Sequence, residues 1–211
     1  YTSMYGLLNH NSIFSLNEVS SDEMMIPQRG SDWFDGGQWI RVHRHNYNAN
    51  EESVNNGWNF LYGGVNDCNR VIALFEQLVE EGSVTEEDAA AFIAEVRTIR
   101  ALFYYWLMDS YGNIPVVTSF DGANSTPPTL PRTDVFAFIE GELNTTVPLL
   151  SKAKDATTYA RFNYWAGKAL QAKLYLNAEV YTGEAKWDEA IAAIDEIIDS
   201  GLYDLERDYF V

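Results

Sequence analysis

Cysteine is almost missing from this 211-residue sequence: the single Cys68 excludes an internal disulfide and leaves the redox compartment open. Its place between Val65 and Val71, in an apolar helical run, marks it as a small buried hydrophobe. Basic residues are scarce too. Fourteen Lys and Arg stand against 31 Asp and Glu, and the resulting charge of −17 repels phosphate backbones and anionic lipid headgroups, with no Lys/Arg cluster to offset it locally. Nucleic acid is therefore not an expected partner, and solubility of a secreted or surface protein is the plain use of this charge. No run approaches the roughly 20 consecutive apolar residues that span a bilayer. The chain opens at Tyr1-Thr-Ser-Met and not with a signal sequence, the pattern of a cytosolic protein or of one whose targeting segment has been removed. Catalytic signatures are missing as well: there is no Gly-rich phosphate loop, nucleophile elbow or zinc-protease helix motif. The reading is a protein that is not an enzyme and needs no cofactor.

Aromatic residues, by contrast, are plentiful. An apolar content of 46% is ordinary for a globular chain, whereas 14% aromatic, with 13 Tyr, 11 Phe and 6 Trp, is high for a helical one. Some rings are thus expected to do more than fill a core. Hydrophobic periodicity predicts a helix over 57–79, where Trp58, Leu61, Val65, Cys68, Ile72, Phe75 and Val79 recur at spacings of three and four. Thr85, with Asp88 three residues on, starts a second helix that carries Phe92, Val96, Ile99, Phe103 and Trp106 to a stop at Gly112. Together these make an antiparallel hairpin over 57–112.

Residues 113–132 read as a connector: Ile114-Pro-Val-Val-Thr is β-prone, and the prolines after Gly122 cannot sustain a helix. Helices resume over 133–211. One stripe holds Val135, Phe138, Ile139, Leu143 and Val147; a second helix is expected from Asn163 to Tyr181, and a third after Gly183 with Trp187, Ala190, Ile191, Ile194, Ile197 and Ile198 on one face. A small-residue helix followed by an amphipathic one resembles a tetratricopeptide unit, and such a hairpin must stack on neighbours to bury its apolar face. The expected fold class is all-α, a single domain of tetratricopeptide-like stacked hairpins.

Residues 1–56 differ in kind, with no helical periodicity and a segment, 21–39, dense in Gly, Asp and aromatics. Binding concentrates on loops of that chemistry. Trp33, Phe34, Trp39 and Tyr47 offer flat faces for sugar rings, and Asp22, Arg29, Asp32, Asp35, Gln38 and Asn48 offer groups for hydroxyls. Each has a plainer use: a tryptophan anchors a core more often than it carries a ligand, and Arg29 can pin the loop by pairing with Asp22 or Asp32. His43-Arg-His45 places two imidazoles on one face if the stretch is extended, but no third metal ligand stands at a recognisable spacing. Asp22, Glu23, Asp32 and Asp35 can be cast as a glycosidase pair only if folding sets the required separation.

Four segments together resemble the SusD/RagB family of surface nutrient-binding lipoproteins. They are Ser21-Asp-Glu-Met-Met-Ile-Pro-Gln-Arg-Gly running on to Asp32-Trp-Phe-Asp-Gly-Gly; Trp58-Asn-Phe-Leu-Tyr-Gly-Gly-Val-Asn-Asp-Cys-Asn-Arg; Arg97-Thr-Ile-Arg-Ala-Leu-Phe-Tyr-Tyr-Trp-Leu-Met-Asp-Ser-Tyr-Gly-Asn-Ile-Pro-Val-Val; and Lys168-Ala-Leu-Gln-Ala-Lys-Leu-Tyr-Leu-Asn-Ala. The third is the most specific. The resemblance implies a lipid-anchored scaffold on the exterior of a Gram-negative outer membrane, seated over a SusC-like TonB-dependent barrel transporter, that captures oligo- or polysaccharide without cleaving it. It also implies the N-terminal portion of a longer protein, and a ligand surface at Asp22, Arg29, Trp33, Trp39, Tyr47 and Asn48, with no metal. Other readings are a docking scaffold that supports the transporter without binding glycan, and a glycoside hydrolase.

Overall fold

A computed structural model describes residues 1–21, 23–122, 126–206 and 208 of the chain. The chain is all-α, with one short two-stranded pairing among the described residues. It divides into two compact units, Tyr1–Asn66 and Asp67–Val211. Where the sequence suggested one domain with an internal boundary at 56/57, the division falls inside the long helix α3 (Glu52–Glu80).

The first unit holds two helices that periodicity did not reveal, α1 (Ile13–Ser20) and α2 (Gln38–His43). At eight and six residues they are shorter than the roughly 11–18-residue window in which a helical period stands out. Ile13, Leu16 and Val19 of α1 are buried at spacings of three, as are Trp39 and Val42 of α2. A 3-10 turn, Thr2–Leu8, precedes them, and Gly6 there makes room for a ring: a Cβ would stand 2.7 Å from Phe60 Cε2.

The second unit is the hairpin array expected from periodicity. Phe75 of α3 stacks on Phe92 of α4 (Glu86–Tyr111), with centroids 5.5 Å apart and planes 7° from parallel. Thr85 caps α4: its hydroxyl accepts from the Asp88 amide at 3.1 Å and donates to the Asp88 carboxylate at 2.7 Å. Gly112, at φ 77°, ends the helix in a conformation costly for any residue with a Cβ. Strand β1 (Ile114–Pro115) then pairs antiparallel with β2 (Thr129–Leu130). The chain returns through α5 (Arg132–Thr146), a 3-10 turn at Val147–Leu149, α6 (Tyr164–Leu176), α7 (Ala178–Thr182) and α8 (Trp187–Asp199). Asn177 breaks the helix expected to run on to Tyr181.

Within this unit α4 packs on α5, α5 on α6 and α7, and α6 on α8. Small residues set the close approaches. A Cβ on Gly167 of α6 would lie 2.7 Å from Val147 Cγ2, and Ala190 and Ala193 form the buried face of α8. The flank of α8 next to these alanines leaves Trp187, Ile191, Ile194 and Ile198 exposed.

A buried polar network explains the Arg97-to-Tyr104 run. Arg100 Nη2 donates to Glu142 at 2.7 Å, and Arg97 shares that carboxylate. Arg100 Nη1 also donates to Asn69 Oδ1 at 2.7 Å and to the Thr118 carbonyl at 3.2 Å. Asn69 in turn donates to the Val117 carbonyl at 2.9 Å, while the Tyr104 hydroxyl donates to that carbonyl and accepts from the Val117 amide, each at 2.8 Å. These side chains supply the hydrogen bonds that the irregular exit from α4 lacks in a sheet. Burial alone would raise the Glu142 carboxyl, but the two guanidinium groups outweigh it and hold it below its ordinary range. Burial also pushes Tyr104 up to about 12 and Cys68 up to about 11, so the thiol is inert at neutral pH, as its place in the helix suggested.

Candidate functional site

The N-terminal unit carries a loop of unusual backbone. Gln28 donates to the Gly30 carbonyl at 2.8 Å, and Arg29 and Asp32 exchange backbone hydrogen bonds of 3.0 Å in both directions, closing a tight turn. Beyond it, Trp33 and Asp35 sit at φ 59° and 42°, left-handed values that cost a residue with a Cβ about 1–2 kcal/mol each.

Anchors on α2 hold the strain in place. The Trp39 indole donates to Asp35 Oδ2 at 2.6 Å, and Arg41 Nη1 donates to the Gly36 carbonyl at 2.7 Å. Arg41 Nη2 also donates to Glu51 at 2.8 Å, so the far end of the loop is tied to the start of α3. The hydrogen bond from Arg41 holds the Glu51 carboxyl below its ordinary range. Gly36 and Gly37, at φ 62° and 81°, reverse the chain into α2, a turn that favours residues without a Cβ.

This scaffold separates the residues singled out in the sequence. Trp33 is 45% exposed and meets His10 edge-on at 5.6 Å; its neighbour Phe34 is 48% exposed. Tyr47, in the loop after α2, is 39% exposed. Arg29 is exposed in the Asp32 turn. Trp39 departs from the expectation of an open stacking face: at 1% exposure it is a packing anchor, with its indole committed to Asp35. Asn48 is exposed but its Oδ1 accepts from the Asn50 amide at 2.8 Å, so part of its capacity shapes a turn. Asp22 lies outside the described residues. The turn places Arg29 four residues ahead of Trp33 in sequence, and no ring contact among the described residues links Tyr47 to Trp33.

Two other expectations also meet their geometry here. His43-Arg-His45 ends a helix and is not extended, so its imidazoles do not share a face: His45, at φ 54°, donates Nε2 to the Ser20 carbonyl at 2.7 Å, and His43 lines a groove. Among the described residues no group of three or more His, Cys, Asp and Glu could hold a metal ion. Asp35, once a candidate acid or base, is occupied by the Trp39 indole. Sequence reasoning missed the α2 face that carries Ile40 and His43 and is followed by Arg44 at the cap, although Gly-Gly-Gln-Trp-Ile-Arg-Val was open to reading as a helix start with Trp39 and Val42 three apart.

Exposed rings on a strained, anchored loop, ahead of an array of helical hairpins, define a class: an all-α protein with an aromatic surface on its N-terminal unit. Comparison with known proteins turns the class into a family. The family model SusD-like_3, described as "Starch-binding associating with outer membrane", matches residues 2–176, and the chain belongs to that family. A SusD-like protein of Bacteroides ovatus is 30% identical over 165 residues, covering 76% of this chain and 29% of its own length. The starch-binding protein SusD of Bacteroides thetaiotaomicron is 27% identical over 203 residues, covering 90% and 32%. The chain therefore spans about a third of these relatives. Among solved structures, surface glycan-binding protein A from Bacteroides thetaiotaomicron in complex with laminarihexaose shares the fold, with a TM-score of 0.73, 22% identity, and coverage of 92% of this chain and 38% of that one.

Proposed function

We propose that this chain captures extracellular oligo- or polysaccharide without cleaving it, on an aromatic surface of its N-terminal unit. The observation that carries this reading is the pair Trp33 and Phe34, each close to half exposed on a loop whose backbone is held in left-handed conformations by Trp39 and Arg41. Strain kept at a surface site is consistent with presentation of side chains, since a loop free to relax would discard it. Arg29 donates to hydroxyls of the sugar, and Tyr47 and Asn48 extend the polar and aromatic surface; the sequence also puts Asp22 forward as a hydroxyl-binding group. A relative that binds starch and a structural neighbour bound to laminarihexaose support a glycan as the ligand. An open aromatic platform stacks on sugar without enclosing it, which suits a protein that must pass its ligand on.

The same reading places the chain in a longer lipid-anchored protein on the exterior of the outer membrane, delivering glycan to a SusC-like TonB-dependent barrel. The family's association with the outer membrane supports that location. A second reading is favoured by the exposed Trp187, Ile191, Ile194 and Ile198 of α8, a stripe suited to protein contact: a scaffold that docks on the transporter without holding sugar. Affinity electrophoresis against starch, laminarin and xyloglucan separates the two. Retardation by at least one polysaccharide, lost in Trp33→Ala with helical circular dichroism unchanged, is expected; no retardation together with co-purification of a barrel would favour the scaffold. Release of reducing ends by the purified protein would overturn both in favour of a hydrolase.

A further inference from the structure

The N-terminal unit contains a groove of about 480 Å³, within the roughly 300–1,000 Å³ of small-molecule sites, between the 25–28 segment and one face of α2. Its electrostatics run against the rest of the chain. The chain carries 31 acidic residues, yet the described lining of the groove has no carboxylate. Arg41-Val-His-Arg-His45 supplies four side chains able to carry positive charge, and the fold consumes two. Arg41 is engaged by Glu51 and the Gly36 carbonyl, and His45 by the Ser20 carbonyl. His43 and Arg44 remain, and both line the groove with no side-chain hydrogen bond or ion pair among the described residues.

The rest of the lining suits a sugar. Ile40 and His43 stand three apart on α2, and Arg44, the residue that caps the helix, lines the same groove. Met25 and Ile40 are exposed large apolar side chains, able to meet the C–H face of a pyranose, with Pro27 alongside. Gln28, its amide nitrogen committed to the Gly30 carbonyl, keeps its oxygen for a sugar hydroxyl. A guanidinium pairs two oxygens of a carboxylate or sulfate at once, which a neutral sugar cannot offer.

We propose that this groove is a subsite for an acidic sugar, one bearing a carboxylate or a sulfate ester, with Arg44 pairing the anion and His43 beside it. The proposal rests on the glycan-capture reading and deepens it by naming the ligand's charge.

Calorimetry on the full chain tests it with trigalacturonate, a sulfated galactan oligosaccharide, neutral laminarihexaose and hexaglutamate peptide. The acidic sugars should bind more tightly than laminarihexaose, and added salt should weaken only the acidic ones. Arg44→Gln should lower their affinity about tenfold or more, the loss of a charged hydrogen-bonded pair, while leaving laminarihexaose unchanged. Arg44→Lys, which keeps the charge but not the fork, should fall between. Preference for the uronate assigns a carboxylate, and preference for the galactan a sulfate. Neutral sugar bound as tightly as the acidic ones, with Arg44→Gln indifferent, overturns the subsite and leaves glycan capture standing. Failure of every sugar in this panel to bind overturns the subsite, and joined to no retardation by starch, laminarin or xyloglucan it overturns glycan capture as well. Hexaglutamate bound in an Arg44-dependent manner, with no acidic sugar bound, would make the groove a peptide site.

Discussion

The two units of this chain use the same residue types to opposite ends. In Asp67–Val211 the aromatic run of α4 turns inward, burying Phe103, Tyr104 and Tyr105, and every side chain of its arginine cluster is spent on Glu142, Asn69 or a backbone carbonyl. In Tyr1–Asn66 only some members are spent: Trp39 and Arg41 anchor a loop, while Trp33, Phe34 and Arg44 remain available. The proposed binding surface differs from the scaffold, then, less in composition than in how much of its hydrogen-bonding and stacking capacity the fold has already used.

Variants can break that contrast, and the largest effects should come from spent residues. Arg100→Ala leaves Glu142 without its buried guanidinium partner and Asn69 without its donor, and should destabilise by about 3–5 kcal/mol. Trp39→Ala should cost a similar amount, about 3–5 kcal/mol, because it empties a buried indole site and frees Asp35. Both are read as lost stability in urea titrations. Next in size, Gly167→Val drives a branched side chain into Val147 and should cost about 1–3 kcal/mol.

Acid gives a subtler probe. The Glu142 carboxyl lies below its ordinary value of 4.5 when folded, so its contribution is present above that pH and is lost as the pH falls through the folded value. Thermal unfolding of the parent should therefore decline more steeply below pH 4.5 than that of Glu142→Gln. Smallest of all, Trp33→Gly relieves a left-handed tryptophan and should change stability by no more than about 1 kcal/mol, in the favourable direction. A large loss there would mean that Trp33 is spent like Trp39.

What could be seen in the sequence follows the same line. The hairpin of α3 and α4, its Thr85 cap and its Gly112 stop were legible because each depends on neighbours a few residues away. The role of Arg100 was not, since its partners Asn69 and Glu142 lie 31 and 42 residues off. Trp33 and Trp39 stand in the same loop with the same chemistry, and only the left-handed pair Gly36-Gly37, which turns the chain into α2, sends one indole inward and leaves the other out. The groove face was missed for a related reason: the charges of Arg41 and His45 had to be subtracted before His43 and Arg44 stood out.

Hydroxyl-radical footprinting read by mass spectrometry, with and without a polysaccharide that retards the protein, bears most directly on the claim that the unspent rings bind sugar. Trp33, Phe34 and Tyr47 should be oxidised in the free protein and protected by the polysaccharide, while Trp39 stays unreactive in both. Oxidation of Trp33 undiminished by a polysaccharide that demonstrably binds would place recognition elsewhere and contradict the account.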